Sequence, residues 1–340
     1  MHSLHTIAQA LVAPGKGILA ADESHPTMAK RLATIGLEST PERRLAYREL
    51  VLTSPGLADH VSGVILFDET IRQTAHDGTP FAEVLRRAGI VPGIKVDRGT
   101  TPLAGSPDEV VTQGLDGLRE RLVEYAALGA RFAKWRAVIR IGPDTPTAAC
   151  IEANAHALAR YAALAQEAGL VPVVEPEVLM EGAHSLERCA TVTAATLRSV
   201  YDQLVRQGLV LDSTLLKPSM VLPGSAASEV VDDDTIADRT IAVLRDSVPA
   251  SVPGLVFLSG GQTPEQSTAR LDALNRRAPQ PWALSFSFGR ALQAPVLQAW
   301  GGRPEHVGAA QAALLERARL NGAARRGRYN AEMERSSAPA

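Results

Sequence analysis

Ile151-Glu-Ala-Asn-Ala-His-Ala-Leu-Ala-Arg-Tyr-Ala-Ala-Leu-Ala-Gln-Glu-Ala-Gly169 repeats its apolar side chains at intervals of three and four, the period of a helix with one buried face. It ends on a glycine suited to a helix C-cap. A short apolar, β-prone run precedes it, Arg131 to Ile139, and another follows it, Leu170 to Glu177. Two strands joined through a helix imply parallel pairing. Similar runs recur at Gly17 to Asp22, Val61 to Phe67, Pro92 to Asp97, Thr214 to Met220, Gly254 to Ser259 and Trp282 to Ser287. That makes eight units, which predict an α/β fold of one domain, a (β/α)₈ TIM barrel. An open, doubly wound sheet is the competing arrangement. The barrel is expected over residues 1–320, with a helical segment at its amino end and a helix at its carboxyl end. Residues 321–340, rich in Ala, Arg, Ser and Gly, read as a flexible tail.

The chain has 340 residues, 45% of them hydrophobic, which is enough for a large core in one domain. Its formal charge of −2 gives no reason to expect a nucleic acid partner, and no basic run is interleaved with aromatics. Two unclustered cysteines, Cys150 and Cys189, cannot build a disulfide framework and suit a reducing compartment. No apolar run approaches membrane-spanning length, and the amino end lacks the pattern of a secretory leader. These features predict a soluble, cytoplasmic protein without membrane attachment.

Of the 35 cationic side chains only Lys16, Lys30, Lys95, Lys134 and Lys217 are lysines. Arginine stays protonated in a protein site, whereas a buried lysine can supply a neutral amine. Lys95, Lys134 and Lys217 lie in apolar strand-like runs, where lysine is seldom buried without a function. Residues two apart on a strand share a face, so Lys95 with Asp97, Lys134 with Arg136, Glu175 with Glu177, and Ser285 with Ser287 form pairs near strand ends. Asp22 adds a carboxylate at the end of the first strand. Those ends surround the active-site face of a barrel, and their convergence outweighs the reading of each pair as a structural ion pair or of Asp22 as a helix cap.

Leu258-Ser-Gly-Gly-Gln262 and Ser287-Phe-Gly-Arg290 follow the last two strands. Glycines there let backbone N–H groups approach a phosphate, and barrels often bind phosphate in these loops. Other motifs fail on context. The first segment spells a transport-ATPase signature, but the chain has no phosphate-binding Gly-x-x-x-x-Gly-Lys-Ser/Thr loop. Gly15-Lys-Gly17-Ile-Leu-Ala20 opens a strand rather than closing one, so a dinucleotide site is not expected. The eight histidines show no metal-site spacing.

Gly17-Ile-Leu-Ala-Ala-Asp-Glu-Ser24, Gly63-Val-Ile-Leu-Phe67, Gly93-Ile-Lys-Val-Asp97, Phe132-Ala-Lys-Trp-Arg136, Val174-Glu-Pro-Glu177, Thr214-Leu-Leu-Lys-Pro218 and the two glycine segments resemble, in order, the motifs of class I fructose-bisphosphate aldolase, the Schiff-base type. The resemblance runs from about residue 15 to residue 330 and implies a metal-independent lyase of glycolysis and gluconeogenesis, commonly a homotetramer. Its substrate would be a phosphorylated sugar, fructose 1,6-bisphosphate, cleaved reversibly to dihydroxyacetone phosphate and glyceraldehyde 3-phosphate. Carried over by motif, Lys217 is the amine that forms the Schiff base, with Lys134 and Arg136 as cationic neighbours that favour its neutral form. Glu175 shuttles protons, tuned by Glu177 and Lys134, and Asp22 takes the proton of the C4 hydroxyl. Ser259, Gly260, Gly261, Ser287, Gly289 and Arg290 belong to the C1-phosphate end. Lys95, Ser24, Thr27 and either Lys30 or Arg31 belong to the C6-phosphate end.

The chain departs from that pattern in three places. Ser24-His-Pro-Thr27 stands where animal members have Ser-Thr-Gly-Ser, Phe288 stands where tyrosine is frequent, and the chain ends Ser336-Ser-Ala-Pro-Ala340 rather than on a tyrosine. A different Schiff-base lyase acting on another sugar phosphate is the alternative enzyme. A non-catalytic sugar-phosphate binder is the alternative class, and it would need none of Lys217, Glu175 and Asp22.

Overall fold

The computed structural model describes residues 3–277 and 279–335. Ten strands occur among them: β1 Gly17–Ala21, β2 Val61–Leu66, β3 Val91–Lys95, β4 Thr100–Leu103, β5 Ser106–Thr112, β6 Phe132–Ile139, β7 Val171–Val178, β8 Leu215–Leu216, β9 Gly254–Phe257 and β10 Ala283–Phe288. Eight of them close into a barrel in the order β1-β10-β9-β8-β7-β6-β3-β2, every neighbouring pair parallel. The eight runs read from the sequence are these eight strands, and the closed ring excludes the open sheet. Strand β8 is shorter than its run because Pro218 has no N–H to give to a ladder. Pairing persists one residue further, where Lys217 N–H donates to Val174 at 2.8 Å. Strands β4 and β5 form an antiparallel hairpin outside the ring that the periodicity did not reveal.

The quoted helix, Ala148–Glu167, shows how a crossover is fastened. Tyr161 stacks on Trp135 at 5.6 Å and donates its hydroxyl to the carbonyls of Ala133 and Val173 on β6 and β7. Inside the barrel Ile18, Ala20, Ile65, Phe132, Val171, Val173, Leu215 and Val256 form an apolar layer. The amino-terminal helix Leu4–Leu11 closes that layer from below with Ile7, Ala8 and Leu11. Phe132 fits because Gly93 has no side chain: a Cβ there would lie 2.2 Å from the ring.

The tail expected from residue 321 is packed over its described part. Helix Val307–Ala324 runs through the boundary at 320, burying Asn321, Gly322 and Ala324. Arg325 then donates to the carbonyls of Lys16, Val12 and Leu284, and the Tyr329 N–H donates to Asp272. Glu334 pairs with Arg317. These anchors lie far away in sequence, so composition did not show them. Residues 336–340 lie outside the described residues.

Candidate active site

Above the apolar layer the inward-facing positions become ionic. Lys134 follows Phe132 on the inner face of β6, Glu175 and Glu177 follow Val173 on β7, Lys217 follows Leu215, and Asp22 follows Ala20. Lys134 Nζ lies 2.6 Å from Asp22 Oδ2 and 3.1 Å from Glu175 Oε2, while Lys217 Nζ lies 3.0 Å from Glu175 Oε1. One chain of contacts therefore runs Lys217–Glu175–Lys134–Asp22. Lys134, Glu175 and Lys217 are buried, and Asp22 is only 12% exposed through its side chain.

Burial by itself pushes the Asp22 carboxyl up, but Lys134 and then Lys217 outweigh it and hold the group well below the usual carboxylate range. Glu175 is held low in the same way, by Lys134, Lys217 and Arg136 against its burial. Burial pulls Lys134 down, yet Asp22 and Glu175 overcome this and hold it above its ordinary value. Lys134 is thus a fixed cation between two carboxylates.

The outlying residues divide between two sides. On one, Arg136 pairs with Glu177, and a Cβ on Gly260 would come within 3.0 Å of Glu177 Oε1. Ser259 is buried on this side. Gly261 has φ +74° with Met180 pressed against it, which only glycine accommodates without strain. Ser287 is buried at the carboxyl end of β10, and its hydroxyl has no hydrogen-bond partner among the described residues. Gly289 follows, and the exposed Arg290 begins the helix Arg290–Trp300, its guanidinium making no hydrogen bond or ion pair among the described residues. Ser285, grouped with Ser287 by strand period, lies lower and donates to the Lys16 carbonyl at 2.8 Å.

On the other side Lys95 pairs with Asp97 at 2.5 Å, and both line a cavity of 710 Å³ with Ser24, Pro26 and Phe67. Ser24 is the N-cap of helix His25–Ala33, so the amino end of that helix opens on this space. Ser24 and Thr27 hydroxyls lie 3.1 Å apart. Pro26 falls in the first helical turn, where its missing N–H breaks no bond, and His25 turns to Glu69 at 3.3 Å. Lys30 is exposed. Arg31 does not face this cavity's wall; it pairs with Glu23 and lies near Gly289.

Glu23 is the residue that sequence reading passed over. It points away from the barrel axis and gathers Arg31, Arg48 and Gln293 from three helices. Its only sequence signal was its place beside Asp22. Its partners Arg48 and Gln293 come from positions 25 and 270 residues further on, with nothing local to connect them.

Among the described residues no group of three or more His, Cys, Asp or Glu side chains could hold a metal ion, and no helix is long and apolar enough to cross a membrane. Cys150 and Cys189 are both buried and unpaired.

A family model described as fructose-bisphosphate aldolase class-I matches residues 3–340. A probable fructose-bisphosphate aldolase class 1 of Xanthomonas axonopodis is 56% identical over 330 residues, covering 97% of this chain and 99% of that protein. A fructose-bisphosphate aldolase of Drosophila melanogaster is 54% identical over 329 residues, covering 96% and 91%. The fructose-bisphosphate aldolase from Plasmodium falciparum, solved with TRAP and a small-molecule inhibitor, superposes with a TM-score of 0.95 at 47% identity, covering 96% of this chain and 95% of that one.

Proposed function

The chain belongs to the class-I fructose-bisphosphate aldolase family, a family of lyases, and from that premise we propose that it cleaves fructose 1,6-bisphosphate through a Schiff base on Lys217. The observation that carries this reading is the contact chain Lys217–Glu175–Lys134–Asp22, which joins a buried amine to two carboxylates.

The neutral Lys217 amine adds to the C2 carbonyl of the open-chain ketose. Glu175, 3.0 Å from that nitrogen, takes a proton from it and returns one to the C2 oxygen, and a second proton drawn from solvent lets that oxygen leave as water. The resulting iminium draws electrons. Asp22 removes the C4 hydroxyl proton, the C3–C4 bond breaks, and its electron pair enters the iminium to give an enamine. Glyceraldehyde 3-phosphate departs, C3 takes a proton, and hydrolysis releases dihydroxyacetone phosphate and restores the amine. Lys134 stays protonated throughout, keeping Asp22 and Glu175 ionised and therefore able to accept protons. Ser259, Gly260, Gly261, Ser287, Gly289 and Arg290 take the C1 phosphate. Ser24, Thr27 and Lys95 take the C6 phosphate, and Arg136 with Glu177 borders the reacting carbons.

The electron sink in this scheme is organic, so no metal is required. Glycolysis and gluconeogenesis are the pathways such a reaction serves, a homotetramer is the proposed assembly, and ultracentrifugation checks it. Two Arabidopsis thaliana relatives are named cytosolic and chloroplastic respectively, so the cytoplasmic assignment leans on the two unpaired cysteines.

The experiment is incubation with dihydroxyacetone phosphate and borohydride, followed by mass mapping. A reduced adduct on Lys217, with cleavage unaffected by EDTA, is expected. An adduct on another lysine, or loss of activity to EDTA with recovery on adding zinc, overturns the reading.

A further inference from the structure

Asp22 and Glu23 are adjacent, so on extended backbone their carboxylates face opposite ways: Asp22 toward the barrel axis, Glu23 into the layer of helices around it. Glu23 is 7% exposed, yet its carboxylate is crowded with donors. Arg31 of helix His25–Ala33 pairs with Oε1, and Arg48 of helix Pro41–Leu52 pairs with Oε2 at 2.7 Å. Gln293 of helix Arg290–Trp300 donates to Oε1 at 2.8 Å and to the Ala20 carbonyl at 2.7 Å. Tyr47 in turn donates to the Gln293 side-chain oxygen at 3.1 Å, and Arg48 reaches the Glu23 carbonyl at 3.4 Å. Four elements are thus tied to one carboxylate: the end of β1 and three helices.

Two of those helices carry the opposite ends of the substrate cradle. Ser24 and Thr27 lie on the first turn of His25–Ala33, and Gly289 and Arg290 open the helix that bears Gln293. The Gln293 N–H donates to the Gly289 carbonyl at 3.0 Å, so the side chain bonded to Glu23 sits one turn from the phosphate loop. Asp22 to Ser24 join β1 to the first helix and Gly289 alone joins the neighbouring β10 to the second, so the backbone fixes where each begins. Beyond those starts side-chain contacts hold the helices in place, and among the described residues Glu23 is a buried carboxylate bonded to both.

We infer that Glu23, acting with Gln293, is a positioning residue that sets the spacing between the two phosphate-binding ends of the site. The inference rests on the aldolase reading. A bisphosphate must span both ends at once, whereas a monophosphate engages only one. Glu23 therefore serves cleavage of bisphosphates more than of monophosphates. The same triad has a competing, purely electrostatic role. One carboxylate against two guanidinium groups leaves one positive charge in excess, and the more exposed Arg31 lies beside Gly289. On that account Glu23 only masks charge, and its removal would tighten phosphate binding.

Glu23→Gln separates the two. With fructose 1,6-bisphosphate, kcat/KM should fall about 10²-fold, through both a lower kcat and a higher KM, the size expected of a displacement near 1 Å. With fructose 1-phosphate the loss should be about tenfold or less. Equal losses on the two sugars overturn the inference, and so does a lower KM for the bisphosphate at unchanged kcat. Gln293→Met keeps all three charges and guards against a Glu23 variant that fails to fold. It should lower the bisphosphate-to-monophosphate ratio of kcat/KM about threefold to tenfold at a near-normal melting temperature. An unchanged ratio in that folded variant likewise overturns the inference. The unaltered protein is assayed in parallel: if it forms no borohydride adduct on Lys217 and cleaves neither sugar, the aldolase reading itself has failed. Normal trapping and cleavage with unchanged ratios in the variants reject the spacing role alone.

Discussion

At the amino end of the barrel Arg325 gives its guanidinium to three main-chain carbonyls and, among the described residues, to no carboxylate. At the carboxyl end Lys134 and Lys217 are buried against Asp22 and Glu175. Both arrangements satisfy a cation removed from water, but they differ in what can move. Burial, and then Arg326, pull Arg325 down only to about 10, so it stays charged near neutrality, and its carbonyl partners cannot take a proton. The lysine end pairs amines with carboxylates at about 3 Å, and carboxylates, unlike carbonyls, are able to take up a proton. One end of the barrel uses buried charge for the fold; in the proposed mechanism the other uses it for reaction.

The strongest way to break that contrast is Lys217→Arg, which turns the reactive end into a copy of the inert one. Cleavage should fall by more than about 10⁴-fold, and borohydride trapping should vanish while phosphate affinity measured by calorimetry largely survives. Retained turnover would move the nucleophile elsewhere.

Asp22→Asn leaves the amine in place and removes only the base at the far end of the chain. Cleavage should drop about 10²- to 10⁴-fold, with the hexose adduct on Lys217 accumulating and trappable by borohydride. Near-normal single-turnover cleavage would remove Asp22 from the mechanism, and absent trapping in folded protein would place its role before the imine.

Lys134→Gln sharpens the electrostatic side. Asp22 and Glu175 titrate below their ordinary range of about 4 in the folded protein, so their contribution to stability is fully present above that pH and is lost as pH falls toward their folded values. Removing Lys134 takes away the stronger of the two lysine attractions on each. The midpoint of acid unfolding, followed by circular dichroism, should therefore move to higher pH. An unmoved midpoint would mean that Lys134 does not hold these carboxylates ionised.

The smallest effect belongs to the inert end. Arg325→Met should lower stability by about 2 kcal/mol in urea denaturation, since buried carbonyls lose their donor, and leave kcat and KM unchanged. A change in kcat would show that the two ends are not independent.

The barrel was legible because its signals are local: strand runs of period two, helices of period near four, and polar residues confined to strand ends. The site lysines and carboxylates fell out of the same pattern, since side chains two apart on β6 and β7 must share the inner face. Depth along the strand was harder, and Ser285 and Ser287 share a face but serve different layers. The hairpin β4–β5 escaped because Pro102, Gly105 and Pro107 make its thirteen residues read as a loop. Glu23 and Arg325 escaped for a different reason. Apart from Arg31 beside Glu23, each is surrounded by groups from helices or strand ends far away in the chain, and their buried positions follow only from the closed ring.

Phe132 and the glycines around it have a consequence for how this sequence can change. The ring occupies the space in which a Cβ on Gly93 would stand, and a Cβ on Gly63 would meet Leu11 at 2.6 Å as well as the ring at 3.2 Å. Positions 11, 63, 93 and 132 therefore form a set in which enlarging one requires shrinking another. A survey that varies them one at a time would score each as intolerant. Paired changes, such as Gly93→Ala with Phe132→Leu, open routes that single steps close, so coupled substitutions are the expected way for the floor of the barrel to change.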